Sequence, residues 1–212
     1  MSKQDEAMVR ALLDQHGRTY AAQAGIRLRN TPAPLYQLLV LSLLLSARIR
    51  ADIAVEAARA LFSAGMRDAR RMSEATWQQR VDALGEGGYR RYDERTATQL
   101  GDGAALLLDR YKGDLRRLRE STDPKKLLRD IPGIGPTGAD IFLREAQAVW
   151  PELAPRLDRK VLDGAQRLGL PTSAKKLASL VDDADLPQLA AALVRVALDK
   201  RKAEQVRSAA TS

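Results

Sequence analysis

Ile131-Pro132-Gly133-Ile134-Gly135-Pro136-Thr137-Gly138-Ala139 is the stretch on which the reading of this chain turns. A short run of helical apolar spacing, about 124–130, leads into it, and a second, about 137–150, leads away. Gly133 and Gly135 permit the backbone angles of a tight turn and let a ligand come close. Ile134 between them is placed to plug a core, Pro136 suits the first turn of a helix, and Ala139 lets the two helices pack closely. The result is a helix–hairpin–helix with main-chain N–H groups gathered at a helix N-terminus. That geometry grips a phosphate without reading base sequence. The same stretch also fits an ordinary helix–helix turn with a glycine cap, and the flanking prolines and small residues tip the reading towards phosphate.

Outward from the hairpin the chain reads as helix almost throughout, with no alternating β-branched runs. Apolar periodicity predicts helices at about 5–16, 34–47, 51–64, 73–84, 92–111, 124–130, 137–150, 159–168, 173–182 and 185–202. Ser73 and Asp123 are placed as N-caps, and Gly65, Gly113 and Gly169 fall where helices should stop. Trp77 and Trp150 sit at helical spacing among apolar residues and read as core, and Ser208–Ser212 reads as a fraying tail. The expected fold class is all-α, with two helical lobes and a helix-hairpin-helix motif. The expected division is a central lobe over 32–130 and a second lobe of 1–31 plus 131–212 that carries the hairpin.

Composition narrows the chemistry. Lys+Arg number 35 against 27 Asp+Glu, a net charge of +8 that favours an anionic partner, nucleic acid before membrane. With no cysteine, disulfides, a cysteine nucleophile, cysteine-ligated zinc and iron–sulfur clusters are all excluded. His16 is the only histidine, so histidine triads and multi-histidine metal sites are excluded too, and it reads as a surface residue. The start of the chain is polar, and the longest apolar run, 35–47, is too short to span a bilayer. A cytoplasmic protein is expected, nucleoid-associated if bacterial. No metal and no cofactor are expected, although the hairpin backbone could hold a monovalent cation.

The hairpin resembles the Leu-Pro-Gly-Ile/Val-Gly-x-x-x-Ala hairpin of the endonuclease III-like (HhH-GPD) DNA glycosylase superfamily. Leu43-Leu44-Leu45-Ser46-Ala47-Arg48 followed by Asp52 resembles another segment of those enzymes, and Leu157-Asp158 resembles the one that carries their essential aspartate. The likeness covers roughly 32–170. It implies a monomer with a DNA-binding cleft between the lobes, acting on duplex DNA that contains a lesion. The base excised is a damaged one (alkylated among the candidates) or a mispaired one, flipped from the duplex, with Asp158 as the catalytic carboxylate. Asp158 also fits a helix N-cap ahead of Arg159-Lys160-Val161, and the two roles are compatible.

Bifunctional members of that superfamily carry a lysine two residues past the second hairpin glycine, where this chain has Thr137. Without that amine, Schiff-base formation and β-elimination lose their nucleophile. The Gly135-Pro136 start of the helix, with Phe142-Leu143-Arg144, is similar to alkylpurine glycosylases. The resemblance therefore implies a monofunctional enzyme with water as nucleophile. The alternatives are a non-catalytic DNA-binding protein of the same fold and a glycosylase/lyase that uses another amine, such as Lys160.

DNA contacts are expected from Pro132, Gly133, Ile134, Gly135 and Thr137 of the hairpin, from Lys125, Lys126 and Lys160, and from Arg48, which matches the family's intercalating glutamine. Arg48 reads equally well as a solvent-facing cation at a helix end. Tyr89, Tyr92 and Arg144 are candidates for a base pocket, with the tyrosines reading also as core. Lys200/Arg201/Lys202 reads as a solvated face, and Asp140 as a solvent-facing acid.

Overall fold

The computed structural model describes residues 2–211. Helices follow one another in the order α1 (Lys3–His16), α2 (Tyr20–Gln23), α3 (Pro32–Leu45), α4 (Ala51–Ser63), α5 (Ala69–Glu74), α6 (Trp77–Glu86) and α7 (Asp93–Tyr111). They continue with α8 (Arg116–Arg119), α9 (Pro124–Arg129), α10 (Pro136–Ala146), α11 (Arg159–Leu168), α12 (Ala174–Ala178), α13 (Leu186–Leu198) and α14 (Lys200–Thr211). The described residues contain no strand, so the chain is all-α, as its periodicity predicted.

Contacts group the chain into two units, one of residues 1–20 with 144–212 and one of residues 21–143. The hairpin thus falls in the 21–143 unit, whereas the sequence had grouped it with 131–212. The reason lies in its core residues: Ile131 and Ile134 are buried, and they line a small cavity with Leu39, Val40 and Leu43 of α3 and Leu100 of α7.

In the 21–143 unit the central element is α3. Pro32 opens it, and nine consecutive or nearly consecutive residues from Leu35 to Leu44 are buried. Ser42 among them donates its hydroxyl to the Leu38 carbonyl at 2.7 Å, which satisfies that buried polar group. Each leucine buried there contributes about 2 kcal/mol. α4 packs on α3, α6 on α4, and α7 on both α5 and α6.

Several boundaries differ from the sequence reading. The single helix expected over 73–84 is two, α5 and α6, because Thr76 with Gln79 forms a capping box that starts a new helix. Trp77, expected in the core, is 42% exposed, with its ring N–H donating to Thr98 Oγ1 at 3.1 Å. Trp150 is fully buried.

In the other unit α13 is the buried helix, with α11 and α1 packed on it and α14 packed on α1. The helix expected over 185–202 is broken at Asp199, whose carboxylate accepts the Arg201 N–H at 3.0 Å. Of the tail read as fraying, 208–211 belongs to α14, which runs to Thr211 on the buried anchors Ala203 and Val206, and Ser212 lies outside the described residues. α11 approaches α13 backbone to backbone. A Cβ on Gly164 would lie 2.0 Å from the Leu193 carbonyl oxygen, so only glycine fits there.

Candidate functional site

The hairpin is built as its sequence predicts. Asp123 caps α9 by accepting the Lys126 N–H at 3.0 Å, and Ile134 N donates back to the Ile131 carbonyl at 3.0 Å to close the turn. Gly133 has φ +86, and a Cβ there would sit 2.6 Å from Leu43 Cδ1 and 3.1 Å from Gln99 Cβ. Gly135 is exposed, with nothing within 4 Å of where a Cβ would stand.

Pro136 starts α10 and has no N–H to satisfy. Among the described residues, the main-chain N–H groups of Gly133, Gly135 and Thr137 meet no protein acceptor. Gly135 and Thr137 are exposed and Pro132 is half-buried. Free donors at the positive end of an eleven-residue helix are a geometry to which an anion can hydrogen-bond.

Two lysines precede this turn, and the structure separates their roles. Lys125 Nζ is 2.6 Å from Asp140 Oδ1, which corrects the reading of Asp140 as a solvent-facing acid. The pair spans fifteen residues, so no helical spacing announces it. Lys126 is exposed, as is Arg129 later in the same helix. The C-terminal end of α3 borders the same turn, since a Cβ on Gly138 would stand 3.7 Å from the Ser42 carbonyl. Arg48 lies in the bend that follows α3, with its side chain exposed.

The candidate catalytic carboxylate belongs to the other unit. Asp158 is the N-cap of α11: Oδ1 accepts the N–H groups of Lys160 at 2.9 Å and Val161 at 3.2 Å. Its other oxygen, Oδ2, accepts from Arg144 Nε at 2.9 Å and Nη2 at 2.6 Å. The side chains are 6% exposed for Arg144 and 11% for Asp158. Arg144, a base-pocket candidate in the sequence, is thus the partner of the aspartate.

Gln147 completes the framework, a residue the sequence reading missed. It donates to the carbonyls of Arg144 at 2.7 Å and Arg156 at 3.2 Å, and its Oε1 accepts the Arg156 N–H at 2.9 Å. The loop that delivers Asp158 is therefore stitched to the end of α10. A glutamine just past a helix end carries no sequence signal for such a role. Lys160 is exposed, and its Nζ lies 3.6 Å from Asp163.

The aromatic candidates divide. Tyr89 is 1% exposed and hydrogen-bonded to Thr96, and burial pushes its phenol above the ordinary value. It packs in the core and presents no face to a base, which corrects its assignment to a base pocket. Tyr92 is half-buried, with the Arg91 guanidinium 5.2 Å from its ring centre.

No family model matches the chain, and no curated relative does. Solved structures do. One is a trapped endonuclease III–DNA covalent intermediate, the estranged-adenine complex, at 18% identity and a TM-score of 0.51, over 92% of this chain and 86% of that one. Another is a non-covalent endonuclease III–DNA complex, at 18% identity and a TM-score of 0.52, with the same coverage. With its helix–hairpin–helix and all-α architecture, this chain shares the fold of these endonuclease III structures.

Proposed function

We propose that this protein is a DNA glycosylase of base excision repair that hydrolyses the bond between a damaged or mispaired base and its sugar. The hairpin amides and Lys126 hold the backbone of the duplex, Arg48 enters the space left by the flipped nucleotide, and Asp158 faces the sugar. The observation that carries this reading is the carboxylate of Asp158, held in one orientation by four N–H donors.

That arrangement also favours one role for it. A carboxylate has about four lone-pair positions, and here each of four has a donor, so none is left to take a proton from water. A fixed negative charge needs no free lone pair. Base departure builds positive charge on the sugar, and a nearby carboxylate stabilises that charge without moving. Water then adds to the cation. Thr137 in place of an amine supports the hydrolytic, monofunctional course over lyase chemistry.

The same saturation favours a second reading, a non-catalytic protein that binds DNA structure with Asp158 serving only as a cap. Duplexes that contain an alkylated purine, uracil, an abasic site or mispaired adenine separate the two. Release of free base that Asp158→Asn lowers by about 10²–10³-fold supports the glycosylase. Tight binding without release from any duplex supports the binding protein, and a borohydride-trapped adduct would replace water with an amine such as Lys160.

A further inference from the structure

The end of α11 opposite Asp158 borders an open groove of about 320 Å³, lined by Arg167, Lys200, Ala203, Glu204 and Arg207. Arg207 reaches from α14 to α11, donating from Nη1 to the Arg167 carbonyl at 2.6 Å, so its guanidinium is fixed and keeps further N–H groups for a ligand. Arg167, Lys200 and Arg207 are exposed, and among the described residues none has a carboxylate within ion-pair distance. Other cations of the same two helices are treated differently: Arg159 and Lys160 share Asp163, and Lys202 lies 3.9 Å from Asp199. Three like charges gathered on one concave surface repel one another, and the single acid there, Glu204, offsets one of them. Exposed cations left without an acidic partner around a concave surface are available to an anionic ligand.

We infer that this groove is a second binding site for the phosphodiester backbone of nucleic acid, separate from the hairpin. The inference rests on the reading of the chain as a DNA-binding enzyme. Ten residues of α11 span about 15 Å, so the groove meets the backbone well away from the sugar that Asp158 faces, and it adds affinity without taking part in bond cleavage. Two guanidinium groups and an ammonium suit phosphate oxygens, and an open groove of about 320 Å³ is larger than one small anion fills.

The test is the salt dependence of binding to an undamaged 20-base-pair duplex. Each phosphate contact contributes about 0.9 to the slope of log K against log salt concentration. Arg167→Gln/Lys200→Gln/Arg207→Gln should make the slope shallower by about 2 to 3 and leave the single-turnover rate of base release at saturating enzyme unchanged. Lys200→Gln alone, a change on an exposed helix position that spares the Arg207 bond, should lower the slope by about 1. Lys175→Gln/Lys176→Gln, which removes exposed charge from α12, should leave it unchanged. A slope equal to that of the unaltered protein in both the triple and the Lys200 variants overturns the second site and leaves the hairpin reading in place. An unaltered protein that binds no duplex removes the reading beneath it as well.

Discussion

Arg144 and Asp158 stand fourteen residues apart in sequence and meet with Nη2 and Oδ2 2.6 Å apart, both nearly enclosed by protein. Such a pair adds little net stability, because desolvating two charges costs about as much as their attraction returns. Its effect is on orientation. Arg144 takes one carboxylate oxygen and the α11 amides take the other, so the side chain of Asp158 cannot rotate without losing donors on both sides.

Breaking the pair from one side should therefore be costly. Arg144→Met leaves a buried carboxylate with half of its partners and should lower unfolding free energy by about 3 kcal/mol. In a double-mutant cycle with Asp158→Asn, urea denaturation should give a coupling energy of about 1–3 kcal/mol. Additive effects would mean that the two groups do not hold each other.

The two hairpin glycines should respond oppositely to alanine. Gly133→Ala forces a side chain into a left-handed conformation and against Leu43, and should cost about 2 kcal/mol or more of stability. Gly135→Ala meets open space and should leave the melting temperature within a degree or two, while weakening duplex binding by crowding the free amides. Titration calorimetry beside thermal denaturation separates the effects. Full affinity in Gly135→Val would take the hairpin out of the binding surface.

His16 gives the fold a pH dependence of known sign. Burial, then the positive charges of Lys202 and Arg195, push its imidazole below the ordinary 6.5, with Asp199 opposing, and its Nε2 is buried without a partner. Below about pH 6.5 the unfolded chain binds a proton that the folded chain resists, so stability is complete above that value and is lost as pH falls towards the folded value. His16 is the only histidine, which isolates the effect. The melting temperature should drop between pH 7.5 and 5.5, and His16→Gln should flatten that drop. An equal drop in the variant would assign the dependence elsewhere.

Local rules made much of this fold legible. α11 lies where the sequence placed it, over 159–168, because Asp158 at one end and Gly169 at the other punctuate an unambiguous apolar stripe. The hairpin was legible for the same reason. The split between α5 and α6 was missed because Ser73 looked like a cap and the Thr76–Gln79 box was overlooked. The break at Asp199 carries neither proline nor glycine. Pairs such as Arg144 with Asp158 and Lys125 with Asp140 join residues fourteen and fifteen apart, and only tertiary packing brings them together. The burial of Tyr89 was equally hidden, since a tyrosine beside glycines and arginines suits a loop and a core alike.

The glycine at position 164 reaches beyond its own helix. Where α11 rests main chain on main chain against α13, no side chain lies between them to compress, swivel or be exchanged for a larger one. The depth at which α11 sits is thereby a property of two backbones rather than of a negotiable interior. Core substitutions elsewhere around α13 can drift over evolutionary time while the first residue of α11's cap keeps its station. The cap of α11, and with it the carboxylate of Asp158, is thereby a fixed point of this scaffold, held in place by main chain that side-chain exchange does not move.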